Sequence, residues 1–356
     1  MQTWRDRKIL DLFGIAVPIV QAPMAGAQGV PLAVEVAKAG GLGSLPCAML
    51  GAEKAAADIR AFRGATGAPL NVNFFCHAPP HVDAAREARW REGLRGAYEA
   101  LGLDPAMALP DANRAPFDDA FCQMVEALRP QVVSFHFGLP ERSLLARVHA
   151  AGATVIASAT TVAEAQWLEE KGCDAIIAQG YEAGGHRGIF LTNDVAMQPG
   201  TLALVPQVVD AVRVPVIAAG GIGDARGIAA ALMLGASAVQ LGTAYLFCPE
   251  AEISPLHRAA LAQVRDDGTA LTNVFSGRPA RGIANRIVRE VGPLSPDAPD
   301  FPLASAAVAP LRAASQKRGS ADYMQLWSGQ AARLGRAMPA GALTQTLAQE
   351  TLALLR

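Results

Sequence analysis

Short apolar runs recur along this chain, and each is followed by a stretch with helical spacing. The runs cover 18–24, 41–46, 69–75, 131–138, 154–160, 175–180, 215–221 and 238–243. They are continuous rather than alternating, which marks strands covered on both faces, as in a parallel sheet. Segments 31–39, 53–62, 118–128, 141–150, 161–171, 202–212 and 224–234 read as the helices between them. Thr161 with Glu164 three residues on predicts a capping box, and Gly152, Gly172 and Gly235 stand where helices should end. The unit of helix, small-Gly-small link and strand repeats as AGATVIA, KGCDAIIA and LGASAVQL. Eight such units over about 225 residues predict a closed (β/α)₈ TIM barrel. An open dinucleotide-binding sheet would need GxGxxG after the first strand, and that strand ends in QAPMAG instead.

Two stretches break the rhythm. Residues 76–117 are Pro-rich with a helix expected over 83–101, and 248–310 hold Pro and Gly but no barrel strand. The expected organisation is a barrel from 1–247 plus 311–335, an insertion at its mouth (76–117), a lid (248–310) and a C-terminal helix (336–356). Inserted helical and loop segments of this kind cover the C-terminal mouth, where barrels carry their functional loops.

Composition narrows the function. Apolar residues are 51% and charged residues 18% of 356, enough for a large core. Lys plus Arg number 31 against 32 Asp plus Glu, so there is no basic stripe for nucleic acid. Cys47, Cys76, Cys122, Cys173 and Cys248 are widely spaced with no CxxC, which predicts neither a zinc site nor a disulfide framework and suits a reducing cytoplasm. The N-terminal MQTWRDRKIL lacks a signal peptide's apolar run, and no apolar stretch reaches the roughly 18 residues of a membrane span. Neutral charge and Ala-rich helices fit a monomer or a homodimer.

Candidate chemistry lies at the strand ends. Gly220 and Gly221 after one late strand, and Gln240, Leu241, Gly242 and Thr243 at the end of the next, have the pattern of a barrel phosphate cradle. QGYEAGGHRG (179–188) puts His186 on a glycine loop at the mouth, where an imidazole can bind an anion or move a proton. Asn71 and Asn73 share one face of their strand and need partners, such as a planar heterocycle's ring N and C=O. Gln179 is a similar case, Gln21 and Met24 could floor such a ring, and His136 points into the barrel or its mouth. No metal-binding spacing is present, since the Pro pair at 79–80 breaks any helix between His77 and His81.

Together QAPMAG (21–26), NVNFFCH (71–77), SFHFGLP (134–140), QGYEAGGHRG, PVIAAGGI (215–222), QLGTAYL (240–246) and SADYMQLWSGQ (320–330) resemble the nitronate monooxygenases, formerly 2-nitropropane dioxygenases, in their class I form. The glycine segments alone are shared with FMN-dependent enoyl-acyl-carrier-protein reductases. The resemblance implies an FMN-dependent barrel that oxidises alkyl nitronates, propionate 3-nitronate among them, with O₂ to a carbonyl compound and nitrite. It implies no metal and no nicotinamide. His186 matches the family's active-site histidine, whose cation would hold the nitronate. Gln21, Met24, Asn71, Gln179, Gly184, Gly221, Gln240, Gly242 and Thr243 match positions near FMN, and Ser328 and Gln330 a late contact to the cofactor's edge. The family's substrate pocket uses aromatic hydroxyls, and 100–117 contain none. Tyr181 and Tyr323 are the nearest substitutes, with His136 and Lys317 also expected near substrate. The alternatives are an NAD(P)H-dependent flavin reductase of an enoyl thioester or quinone, and a ligand-binding module without turnover.

Overall fold

The computed structural model describes residues 4–112 and 114–356. The first three residues of the N-terminal segment and Asn113 of the first insertion lie outside the described residues.

All eight expected strands form. They are β1 (Ile19–Gln21), β2 (Gly43–Pro46), β3 (Leu70–Phe75), β4 (Val132–His136), β5 (Thr154–Ala159), β6 (Ala175–Gln179), β8 (Val216–Ala219) and β9 (Ala238–Leu241); β7 (Gly185–His186) lies outside their sheet. The eight pair in parallel in the order β1-β9-β8-β6-β5-β4-β3-β2. Gln21 N donates to Leu42 O and Leu42 N to Ile19 O, both at 2.9 Å, which closes the barrel between β1 and β2.

Strand side chains alternate between two environments. Val72, Phe74, Val133, Phe135, Val155 and Val239 face outward into the helix layer. Val20, Leu42, Val132, Ile156, Ile177 and Ile217 face inward and pack on Ile9, Leu10 and Phe13 of α1 (Lys8–Phe13), which plugs the barrel floor. Both faces are therefore apolar, the reason the runs look continuous in sequence.

Most helices match expectation: α2 (Val30–Lys38), α3 (Ala52–Ala65), α6 (Asp119–Leu128), α7 (Arg142–Ala150), α8 (Val162–Glu170), α9 (Thr201–Ala211) and α10 (Ala225–Met233). The eighth position of the outer ring is taken by α15 (Ala340–Leu354), which packs between α10 and α2. Tyr245 pins it, its hydroxyl 2.7 Å from Thr344 Oγ1. The capping box at Thr161 is half formed. Thr161 accepts from Glu164 N, but the Glu164 carboxylate turns to Thr160 N, 2.6 Å, and to Phe190 N, 2.7 Å, and so joins two loops at the mouth. The helix expected over 83–101 is two, α4 (Ala84–Gly93) and α5 (Arg95–Ala100), because Gly93 and Gly96 weaken its middle.

The insertions build a second core above the barrel. Trp90, Leu94 and Tyr98 pack on Val274, Phe275, Ile287 and Leu311, from segments far apart in sequence. These include α13 (Arg286–Val291) and α14 (Ala304–Lys317). An antiparallel sheet not evident in the sequence, β10 (Thr269–Thr272), β11 (Ala280–Ile283) and β7, sits beside them.

Candidate active site

A cavity of about 530 Å³ opens at the C-terminal ends of the strands, beneath the insertions. Strand order alone brings Asn73, His136, Ser158, Gln179, Ala219 and Gln240 around its floor. Each of these is at or near the tip of its own strand, and alternation turns it inward.

One end is built from backbone. Gly220 and Gly221 adopt φ of 104° and 70°, which favour glycine. A Cβ at Gly220 would lie 2.9 Å from Ala183, and one at Gly184 would lie 2.5 Å from Gly329 N. Gly242 leads into the one-turn α11 (Thr243–Leu246), and Thr243 Oγ1 accepts from Gly329 N at 2.9 Å. Four loops thus meet around 184, 220–221, 242–243 and 328–329, with bare backbone facing the cavity. At this wall Gln240 Oε1 is buried with no protein partner. An acceptor stranded there needs a donor from a ligand. A phosphorylated flavin fits both features: a phosphate for the glycine backbone, and ribityl hydroxyls or a ring N–H for the amide.

The histidines stand beside this backbone. β7 pairs with β11, Ala280 opposite His186, which fixes the His186 backbone. Gln179 clamps the same loop, its Nε2 donating to His186 O at 3.0 Å and its Oε1 accepting from Gly188 N at 2.7 Å. His186 Nε2 lies 2.9 Å from Ser276 Oγ. Around its ring stand Trp327, Phe301, Phe137 and Phe75, at centroid distances of 5.4, 5.5, 5.9 and 6.2 Å. Phe137 has φ of 70°, a costly conformation for an aromatic residue, at the edge of the site.

Charge around these histidines favours their neutral forms. Burial pushes the His186 imidazole well below its ordinary range, and Arg114, His136, Arg278 and His77 add to the shift. Burial lowers His136 to about 3, with Arg278 and Arg187 contributing. A carbonyl only accepts, so His136 donates from Nε2 to His186 O at 3.1 Å, and its Nδ1 accepts from Ser158 Oγ at 3.0 Å. The expected histidine cation is therefore replaced by a neutral ring in a positively charged setting.

Of the sequence-derived residues, Met24, His136, Gln179, Gly184, His186, Gly220, Gly221, Gln240, Gly242, Thr243 and Ser328 line the cavity. The others do not. Asn71 lies a layer deeper, bonded to Ser44 Oγ at 2.9 Å, and the cavity reaches Asn73 in its place. Gln21 spends its amide on Ser44 N, 2.9 Å, and on Gln28, fastening the short seam between β1 and β2. Leu241 faces the helix layer, and Gln330 and Lys317 are exposed. Tyr181 lies under Arg281, and Tyr323 is buried in the upper core. Sequence reasoning missed Ser158, Arg114, His257, Arg312 and Trp327, which line the cavity, and Ser276 and Phe301 beside it. Most of these come from the insertions, where no periodicity aims a side chain. Ser158 could have been found, as a polar residue inside an apolar strand.

Among the described residues no cluster of three or more His, Cys, Asp or Glu could hold a metal, and no helix is long and apolar enough to cross a membrane.

A closed barrel with a glycine cradle and a histidine in one cavity at its mouth defines an FMN-dependent oxidoreductase of the (β/α)₈ class. The profile of the nitronate monooxygenase family matches residues 6–350, and the chain belongs to that family. It is 45% identical over 341 residues to the nitronate monooxygenase of Pseudomonas aeruginosa, covering 95% of this chain and 97% of that one. It is 43% identical over 346 residues to the nitronate monooxygenase of Paraburkholderia phytofirmans, covering 97% and 94%. Among solved structures it superimposes on the nitroalkane oxidase of Streptomyces ansochromogenes with a TM-score of 0.87 at 40% identity, covering 97% of this chain and 98% of that one. FabK from Thermotoga maritima gives 0.75 at 26% identity, covering 99% and 97%.

Proposed function

We propose that this protein is an FMN-dependent nitronate monooxygenase, converting alkyl nitronates and O₂ to a carbonyl compound and nitrite. The observation that carries the reading is the placement of His186 in one cavity with the glycine cradle, within a family match spanning nearly the whole chain. FMN, when bound, supplies the redox capacity that takes electrons from the nitronate to O₂. The chain's own part is positional. The loop glycines and Gln240 hold the cofactor, and Met24, Gln179, Gly184, Thr243 and Ser328 line its bed. The aromatic wall excludes water above the reacting carbon. His186 lines the same cavity, where its ring would position a nitronate, which has already lost its α-proton, and its neutral form could take that proton from a neutral nitroalkane. His136 supports it from below. We place the enzyme in the cytoplasm, in keeping with its five free cysteines, as a monomer or homodimer. Light scattering measures the assembly.

The test has two arms. Heat release followed by mass measurement should yield FMN. Aerobic turnover of ethylnitronate should release nitrite, and anaerobic mixing should bleach the flavin with nitronate but not with NADH. Rapid bleaching by NADH alone would make the protein a flavin reductase instead. A bound flavin that neither reductant bleaches would make it a binding module.

A further inference from the structure

The polar content of the cavity is unbalanced. Two guanidinium groups line it, Arg114 and Arg312, against one carboxylate, Glu252. Glu252 packs on Gly29 at the β1 side. Arg312 donates to Gln325 Oε1 at 3.4 Å. Arg114 pairs with no carboxylate among the described residues. Its guanidinium lies 5.6 Å from the centre of the Phe301 ring, which stands 5.5 Å from that of His186. Its backbone is held from below, His77 Nε2 donating to Arg114 O at 2.9 Å. Burial lowers the Arg114 pKa, and Arg312 adds to the effect.

A half-buried cation without a counter-ion carries a desolvation cost, and an incoming anion relieves it. A nitronate has two oxygens on one planar nitrogen, a shape that matches the guanidinium fork as a carboxylate does. The neutral His186 supplies no charge of its own. We infer that Arg114 is the cation that holds the substrate's nitronate oxygens beside His186, so that charge recognition falls to an arginine and not to the histidine. The identity of the anion rests on the nitronate monooxygenase reading; the anion site itself does not.

The test uses the FMN-loaded protein and its R114Q and R114K variants. Flavin content is measured first. Nitrate then serves as a planar oxyanion probe, titrated by calorimetry between about pH 6 and pH 8, and steady-state kinetics on ethylnitronate separate KM from kcat. R114Q should keep its FMN, with the nitrate Kd and the nitronate KM raised roughly 10- to 100-fold, as for a lost charge-assisted bond. Its kcat should change less, and R114K should recover part of the affinity. Wild-type nitrate affinity should stay level across the pH range, because an arginine does not titrate there, and burial, with Arg114, His136, Arg278 and His77, keeps the His186 pKa well below its ordinary range. Unchanged affinities in R114Q would overturn the inference. So would loss of FMN from R114Q, which would make Arg114 a cofactor ligand, or wild-type nitrate binding that fades as pH rises through about 6.5, which would return the charge to a histidine. Nitrate binding that depends on Arg114 in a protein that oxidises no nitronate would leave the anion site standing and remove the nitronate reading.

Discussion

The Ser276 hydroxyl stands between His186 Nε2, at 2.9 Å, and the Arg278 carbonyl, at 3.3 Å. The arrangement that satisfies both has Ser276 donating to the carbonyl and accepting from the ring. Nε2 then carries the proton and Nδ1 keeps the lone pair. Ser276 lies between β10 and β11, so the antiparallel sheet that carries His186 on β7 also supplies the group that sets its tautomer. S276A should keep its FMN and lose about 3- to 10-fold in kcat/KM, as expected for one hydrogen bond. Steady-state kinetics at full flavin occupancy check this. An unchanged value would detach the pair from catalysis.

His186→Asn should also retain FMN, because the glycine cradle is made of backbone and the imidazole is no part of it. Its kcat/KM for ethyl- or propylnitronate should fall on the order of 10- to 10³-fold through loss of the imidazole contact that positions the nitronate. Full activity in this variant would make His186 a structural residue.

Gly184→Ala places a Cβ 2.5 Å from Gly329 N, a backbone atom that cannot rotate away. The Ser328–Gly329 segment must shift, at about 1–3 kcal/mol. Flavin content after gel filtration should drop, together with the melting temperature. A fully loaded G184A would show that this loop contact does not shape the cofactor bed.

Gln240→Leu should act with opposite signs on the two forms. In the apoprotein it removes a buried acceptor that has no partner, so the flavin-free melting temperature should hold or rise. In the holoenzyme it removes a cofactor contact, so FMN affinity should fall. Equal shifts in both forms would mean that Gln240 does not meet FMN.

The cavity residues His136 and His186 make folding sensitive to acid. Their folded pKa values lie below the ordinary 6.5, at about 3 for His136 and well below 6.5 for His186. Below about pH 6.5 the unfolded chain binds protons that the folded chain does not, so stability is complete above that pH and declines as pH falls toward the folded values. Each such histidine contributes a slope of up to about 1.4 kcal/mol per pH unit within that window. Denaturant midpoints of the flavin-free protein from about pH 7 to pH 4 should fall, and less steeply in H136Q. A flat profile would show that His136 is protonated in the folded state.

The eight barrel strands, their helices and the glycine cradle were legible in the sequence because each is a local pattern: an apolar run, a cap, a glycine after a strand. So was the His186 loop, as glycines and a histidine directly after β6. Period-two alternation placed Asn71 and Asn73 on one face, but it could not say how deep the cavity reaches. That depends on how high each strand rises in the closed barrel, where Asn73 lines the cavity and Asn71 lies below it with its Oδ1 unpartnered. Gln21 was legible as a polar strand end, yet the seam between β1 and β2 took up its amide. Only the tertiary structure decided the histidine end. β7 is two residues long and exists because β11, more than 90 positions on, pairs with it. Arg114, Ser276 and Phe301 come from insertions, and Trp327 from the segment after them, and their side chains are aimed by packing between distant segments, not by any local period. The chain's own pattern therefore determined a barrel with glycine loops and a histidine at its mouth. The charge state of that histidine, its tautomer and the cation beside it were decided by long-range burial and electrostatics, which depend on distances that no run of neighbouring residues encodes.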